Sequence, residues 1–233
     1  MKKGIRSDLA WSSVDKIVVR GKDLPNEILG HLNLGDMAFL MLTGRTPNDK
    51  ESRLFNAMAV TLVEHGITPS AIATRMTYLG APEAPQAAVA AGLLGLGSVF
   101  VGSTEGVARM LSENTDIDKL KRVPGLGHPL HKQGDPRTKR LFEIARETGF
   151  YGKYCKRMED IGKERKLVVN ATGAIGALAC ELGIDWRAVR GIGVMARAIG
   201  LVGHILEESK QPMALELWER TEEEASAHLK PKK

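Results

Sequence analysis

The 233-residue chain has only two cysteines, Cys155 and Cys180, far apart and with no CxxC pair. That excludes a disulfide-built secreted scaffold. Aromatic residues make up only 5% of the chain, while glycine reaches 25 and alanine is abundant. A supply of small residues this large suits helices packed backbone to backbone better than an aromatic-rich sandwich. The opening Met-Lys-Lys-Gly-Ile-Arg is basic but has no apolar segment behind it, so no signal peptide is expected. The charge-free run from Ala84 to Thr104 is long enough to span a bilayer. It is mostly Ala and Gly, however, carries Pro85, and lies between Glu83 and Glu105, so it is expected to be a buried core helix. A cytoplasmic protein with no membrane contact is expected.

Chemistry-bearing motifs are also scarce. There is no HExxH, no Cys/His cluster, no GxSxG and no phosphate-binding or dinucleotide fingerprint. No metal site is expected, and no tightly bound cofactor. What the chain does have is enough apolar material for a core: 43% hydrophobic residues against 26% charged. The charge is uneven. Lys119 to Lys166 holds fourteen Lys/Arg against six Asp/Glu, so this stretch carries +8 and the rest −3 of the formal +5. A basic segment in a mildly acidic body points either to a local anionic partner or to a solvated charged face, and not to a nucleic-acid-binding surface.

The elements read as overwhelmingly helical. A run opening at Asp49 places Leu54, Phe55, Met58, Leu62 and Val63 on one face and ends at Gly66. Pro85 starts the Ala-rich helix. Asp135-Pro136 is a strong helix start, with Gly149 as its stop. Asn170 to Gly183 and Asp185 to about Glu208 give two more helices. Val18-Val19 suggests a short strand, and the segments around Pro69, Ala81-Pro82 and Pro124–Gly127 read as loops.

On the last long helix Arg190, Arg197 and His204 recur every seven residues and share a face. Arg197 sits among Ala, Gly, Ile and Leu, where a guanidinium needs either a structural carboxylate or a bound anion. Gly125-Leu126-Gly127-His128 exposes His128 at a tight turn, and Arg137 follows in the first turn of the next helix, which favours anions. A histidine beside an anion-holding arginine suits carboxylate binding and polarisation of a neighbouring oxygen.

The stretch GLGHPLHKQGDPRTKRL resembles the GxGHxxxxxxDPR signature of the citrate synthase superfamily. VEHGITPSAIATR, AAVAAGLLGLGSVFVGSTEGV, LVVNATGAIGAL and VMARAIGLVGHILEE are similar, in the same order, to four further segments of that family. In length and detail the chain resembles citryl-CoA lyase and the citrate synthase-like C-terminal region of ATP-citrate lyase. The resemblance implies a mostly α (all-α class) fold, with a large domain of about residues 1–104 and 191–233 and a smaller CoA-side lobe of about 105–190. It also implies a homodimer or higher homo-oligomer. His65, His128, Arg137 and Arg197 would surround the carboxylates and the carbonyl or hydroxyl oxygen of oxaloacetate or citrate, with His128 accepting the hydroxyl proton. Lys132 and Lys166 would lie near the phosphates of a coenzyme A ester, which enters as substrate.

Two departures stand out. Phe100 takes the place of a synthase histidine, as it does in the lyases. Thr172 falls where the family carries a catalytic Asp, and a threonine hydroxyl is a poor base near neutral pH. The expected activity is therefore cleavage of citryl-CoA, or a related 3-hydroxyacyl-CoA, to acetyl-CoA and oxaloacetate by an atypical site. The alternatives are a non-catalytic or weakly active binder of CoA esters and dicarboxylates, or a condensing enzyme with another substrate. No residue matches the arginine that a partner subunit supplies in this family, beyond a conjectural Arg220.

Overall fold

A computed structural model of the chain describes residues 4–230. Met1–Lys3, where the basic start of the leader reading falls, lie outside the described residues. Ten α-helices follow a small antiparallel sheet among the described residues, a mostly α fold. The sheet joins β1 (Ala10–Ser12), β2 (Ile17–Val19) and β3 (Lys22–Asp23) in that order, with Trp11 opposite Val18 and Val19 opposite Lys22. Only β2 is expected from the sequence, through its adjacent valines Val18 and Val19; β1 and β3 carry no such β-branched pair.

The chain divides into two compact units. One comprises Met1–Thr61 with Ser103–Ile192, the other Leu62–Gly102 with Gly193–Lys233. The chain passes from one unit to the other at 61/62, 102/103 and 192/193.

In the first unit, α1 (Leu34–Thr43) is capped by Asn33, whose side chain accepts from the Asp36 N–H, and it stops at Gly44 in the left-handed region. α2 (Asp49–Val63) buries Leu54, Phe55 and Met58 completely, and Phe55 meets Phe39 edge-on with ring centroids 5.4 Å apart. The sequence stripe thus does face a core. α6 (Pro136–Thr148) and α7 (Lys153–Glu164) both pack on α8 (Ala171–Glu181). α7 has no capping side chain of its own. Glu181, the last residue of α8, instead accepts from the backbone N–H groups of Tyr154 and Cys155 at 2.7 and 3.1 Å.

In the second unit, α3 (Pro69–Gly80) packs against α4 (Pro85–Leu94) and α10 (Ala214–Ser226). Gly92 permits the close approach of α4, since a Cβ there would lie 2.1 Å from the Thr74 hydroxyl and 2.8 Å from the Ser70 carbonyl. Two sequence expectations need correction here. Pro69 does not sit in a loop: Thr68 caps α3 and Pro69 is its first residue, a position where a missing N–H costs nothing. The charge-free run 84–104 is not one buried helix either. It breaks after Leu94 at Gly95-Leu96-Gly97, exposes Leu94, Val99 and Phe100, and resumes as α5 (Gly102–Ser112). The helix long and apolar enough to cross a membrane, by length and composition alone, is instead α9 (Trp186–Lys210). It carries the buried Arg197 and His204, which suits a protein core better than lipid.

Candidate functional site

In the first unit, residues 125–127 are laid against the start of α8. Gly127 N–H donates to the Val168 carbonyl at 2.7 Å, Asn170 N–H donates to the Gly125 carbonyl at 3.0 Å, and the Asn170 amide donates to the Gly127 carbonyl at 2.7 Å. Gly125, in the left-handed region, and Gly173 approach so closely that a Cβ on Gly125 would lie 2.5 Å from the Gly173 Cα. This clamp sets where the next residue, His128, begins.

The His128 Nδ1 accepts from the backbone N–H groups of Leu130 and His131 at 3.2 and 3.1 Å. Nδ1 is therefore unprotonated, and the neutral ring carries its proton on Nε2, a tautomer assigned from the hydrogen-bond pattern. That Nε2 lies 3.3 Å from Arg137 Nη2. Two donors so placed can both serve one anionic oxygen.

Arg137 is aimed by Asp135. Its Nε donates to one carboxylate oxygen at 3.0 Å and its Nη2 to the other at 2.8 Å, a fork-on-fork pair. The Asp135 side chain is fully buried and also accepts from the backbone N–H of Arg137 and of Ala171. Burial alone would raise its carboxyl; the Arg137 fork and the two backbone donors outweigh this and hold it below the usual carboxylate range. One residue thus caps α6, fixes the arginine and ties α6 to α8. The sequence offered Asp135 only as a cap.

Thr172 lies in the first turn of α8, half-buried. Its hydroxyl donates to the Asn170 side-chain oxygen at 2.7 Å and accepts from the Ser103 hydroxyl at 2.9 Å. Its one proton is therefore spent within the helix cap. The sequence marks Asn170 as a helix start but marks neither Asn170 nor Ser103 as a partner of Thr172. Lys166 is exposed and lines a cavity of about 640 Å³ between α6, α7 and residues 166–169, together with Lys139, Arg146 and Lys163. Lys132 is exposed and is not part of that lining. Many of the basic side chains in this stretch are ion-paired, among them Arg140 with Glu143 and Glu147, and Arg157 with Glu164. Burial pushes both cysteine thiols up to about 12, so neither is a ready nucleophile.

In the second unit, α9 brings Arg197 to the end of α2. Gly200 makes this possible, since a Cβ there would lie 2.1 Å from the Val63 carbonyl. Arg197 is 6% exposed; its Nε donates to the Leu62 carbonyl at 3.2 Å, and its Nη1 is buried with no hydrogen-bond partner in the structure. Burial lowers its pKa, with the charge of Glu64 opposing. Of the two partners open to Arg197, no direct carboxylate hydrogen bond is present among the described residues, which leaves the guanidinium suited to an anion. His65 is exposed in the turn that follows α2. Arg220 is exposed and pairs with Glu216 one helical turn away.

Residues 16–218 match the family model described as citrate synthase, C-terminal domain. The chain belongs to the citrate synthase family. Among solved structures it is similar to citryl-CoA lyase from Hydrogenobacter thermophilus, 36% identical, with a TM-score of 0.82 and coverage of 88% of this chain and 87% of that one. It also shares the fold of ATP citrate lyase from Methanothrix soehngenii, solved in complex with citrate and coenzyme A. That match is 20% identical with a TM-score of 0.74, over 90% of this chain and 39% of the other. Citrate synthase 2 of Bacillus subtilis is 28% identical over 186 residues, covering 72% of this chain and 50% of that protein. The chain spans about half the length of the citrate synthases it matches. Members of this family are enzymes, and the fold expected from the sequence is the fold observed.

Proposed function

We propose that this chain is a citryl-CoA lyase-like carbon–carbon lyase that splits citryl-CoA into acetyl-CoA and oxaloacetate, or a related 3-hydroxyacyl-CoA into acetyl-CoA and the corresponding 2-oxo acid. The observation that carries this reading is the pair of donors at His128 Nε2 and Arg137 Nη2, 3.3 Å apart, with the arginine aimed by a buried carboxylate. The match to a citryl-CoA lyase over nearly the whole of both chains supports it further.

In the cleavage, the bond between the carbinol carbon and the acetyl α-carbon breaks and its electron pair leaves as the thioester enolate. The hydroxyl oxygen becomes the carbonyl of oxaloacetate, and one proton passes from that hydroxyl to the enolate carbon. Negative charge on the hydroxyl oxygen is stabilised by donors already in place, which need no reorganisation. His128, with its proton on Nε2, donates to that oxygen in this tautomer, and the hydroxyl proton passes through bulk water to the enolate carbon. Arg137 and Arg197 are assigned to carboxylates, with His65 beside Arg197 on the family resemblance. Lys166 and its cationic neighbours, with Lys132, suit the phosphates of the coenzyme A ester. A homodimer is the assembly we expect, and the cytoplasm the compartment.

Incubation of the purified protein with citryl-CoA should release oxaloacetate, read by a coupled dehydrogenase assay; no release at high enzyme concentration refutes the lyase. Thr172→Asp should raise the rate by returning a carboxylate to the site, and an unchanged rate would show that Thr172 is not the limiting residue.

A second reading rests on the engaged Thr172 hydroxyl, whose only proton goes to Asn170. It makes the chain a binder of dicarboxylates and CoA esters without turnover. Calorimetry with oxaloacetate, citrate and coenzyme A separates the two, since saturable binding without oxaloacetate release is the binder's signature. A condensing enzyme with a different substrate would instead consume oxaloacetate and an acyl-CoA.

A further inference from the structure

Glu64, beside His65, has one carboxylate oxygen accepting from the backbone N–H groups of His65 and Gly66 at 2.7 and 2.6 Å. Its other oxygen lies 3.1 Å from His204 Nε2. On the far side of the same imidazole, Nδ1 is 3.1 Å from Arg75 Nε and 3.0 Å from Arg75 Nη2. A guanidinium has no lone pair to offer, so Nδ1 must be the acceptor and the His204 proton must sit on Nε2, facing Glu64. Arg75 is 2% exposed; it also donates from Nη1 to the buried Glu208 at 2.7 Å and from Nη2 to Glu207. Glu208 in turn accepts from the backbone N–H groups of Met213 and Ala214 at the start of α10.

We infer that Glu64 is a positioning residue that fixes the turn carrying His65, and that Arg75 and His204 form its buried backing, holding it aimed and charged. The row from α10 to His65 is polar throughout, but its His204 Nε2–Glu64 step is a close contact at 3.1 Å without hydrogen-bond alignment. A row of this kind has few alternative geometries, which is what a side chain held against a small ligand requires. Burial would raise the Glu64 carboxyl, but the two backbone donors and His204 bring it below the ordinary range, so it is charged at neutral pH. That charge also faces Arg197, whose burial it partly offsets. Arg75 and His204 are 129 residues apart in sequence, so the relay exists only in the folded chain. The consequence for ligand binding rests on the lyase reading above; the consequence for the turn does not.

The test uses the full chain and three substitutions. In Glu64→Gln the amide must put its NH2 group against the His204 Nε2 proton or against the two backbone donors, so one side fails. In His204→Leu, Arg75 and Glu64 each lose one of their partners. In His204→Gln the amide oxygen can accept from Arg75 while its nitrogen donates to Glu64, restoring the row. Hydrogen exchange at the His65 and Gly66 amides should quicken by roughly tenfold in the first two, the equivalent of one hydrogen bond of about 1.4 kcal/mol, and return to within about threefold of wild type in the third. Calorimetric affinity for oxaloacetate should fall and recover in step, with KM moving more than kcat in the lyase assay. Unchanged exchange at the two amides in Glu64→Gln, or no recovery in His204→Gln, overturns the inference. Quickened and recovered exchange in a protein that binds no oxaloacetate upholds the positioning role and refutes the lyase reading instead.

Discussion

Both units hold an arginine that the sequence marks for an anion, but they hold it differently. Arg137 in the first unit is locked onto a buried carboxylate through two parallel hydrogen bonds and is still about a third exposed. Arg197 in the second is almost wholly buried, has one backbone acceptor, and keeps an unanswered Nη1. The first is an aimed donor whose charge is already balanced. The second is a cation whose desolvation the protein has left largely uncompensated, with Glu64 nearby but not bonded to it. A buried arginine in that state favours whatever anion can reach it, whereas Arg137 contributes direction. The two positions should therefore respond to substitution in opposite ways.

The largest effect is expected at Asp135. Asp135→Ala removes the α6 cap, the Arg137 fork and the acceptor for Ala171 N–H together. Breaking a buried pair from one side costs several kcal/mol, reduced here by the partial exposure of Arg137, so about 3 kcal/mol is expected. Urea unfolding checks this; a loss below about 1 kcal/mol would show that Arg137 and the helix start stand without it.

Arg197→Leu should do the reverse. Replacing a poorly satisfied buried charge by an apolar side chain of similar bulk is often neutral or stabilising, here by up to about 1 kcal/mol. The same change should weaken oxaloacetate binding by roughly 10- to 100-fold, the worth of a hydrogen bond to a charged group. If the variant is strongly destabilised with its binding intact, Arg197 is a structural residue and the contrast between the two arginines collapses.

Acid should distinguish the units further. Glu64 and Glu208 in the second unit and Asp135 in the first all titrate below the ordinary carboxylate range. A carboxyl depressed in the folded state adds stability above its unfolded pKa, and that stability is lost as pH falls through the folded value. Thermal stability should hold near neutrality and begin to fall as pH drops below about 4.3. Glu208→Gln should lower stability at pH 7 and flatten the acid limb, because the Arg75 pair no longer titrates. A variant whose acid limb matches wild type would show that Glu208 is not among the groups that carry it.

Much of this fold is legible in the sequence, for reasons that can be traced to single residues. Asp135-Pro136 with Gly149 delimits α6, and Asn170 opens α8, because caps and breakers act locally. The stripe of α2 is legible because a helical period repeats its message over four turns. Thr68-Pro69 carries an equally good start signal, yet the proline alone suggests a loop. The run 84–104 misleads because lack of charge says nothing about whether Gly95 and Gly97 will break the helix. Among the candidate residues, His65, His128, Arg137 and Arg197 are visible through family motifs, two in each unit. Glu64, Arg75 and His204 stand within the same quoted motifs, but their roles depend on contacts across more than a hundred residues. Asn170 and Ser103 enter only because Thr172 reaches both.

The smallest effect is expected at that threonine, and it tests whether Thr172 belongs to the cap or to the chemistry. Thr172→Val keeps the shape and deletes the hydroxyl, removing one hydrogen bond from Ser103 and one from Asn170, for a loss of about 1 kcal/mol. Thr172→Asp exchanges that bond for a carboxylate in the first turn of α8, where the helix dipole favours negative charge by about 0.3–1 kcal/mol. The new carboxylate can still accept from Ser103 but faces the Asn170 oxygen, so the gain and the loss should nearly cancel. Equal stability of Thr172→Asp and wild type, with Thr172→Val slightly below both, is the expected order in chemical denaturation. Should Thr172→Asp instead fall well below Thr172→Val, the Asn170 oxygen cannot tolerate the charge, and a carboxylate at this position would require a different cap as well as a different side chain.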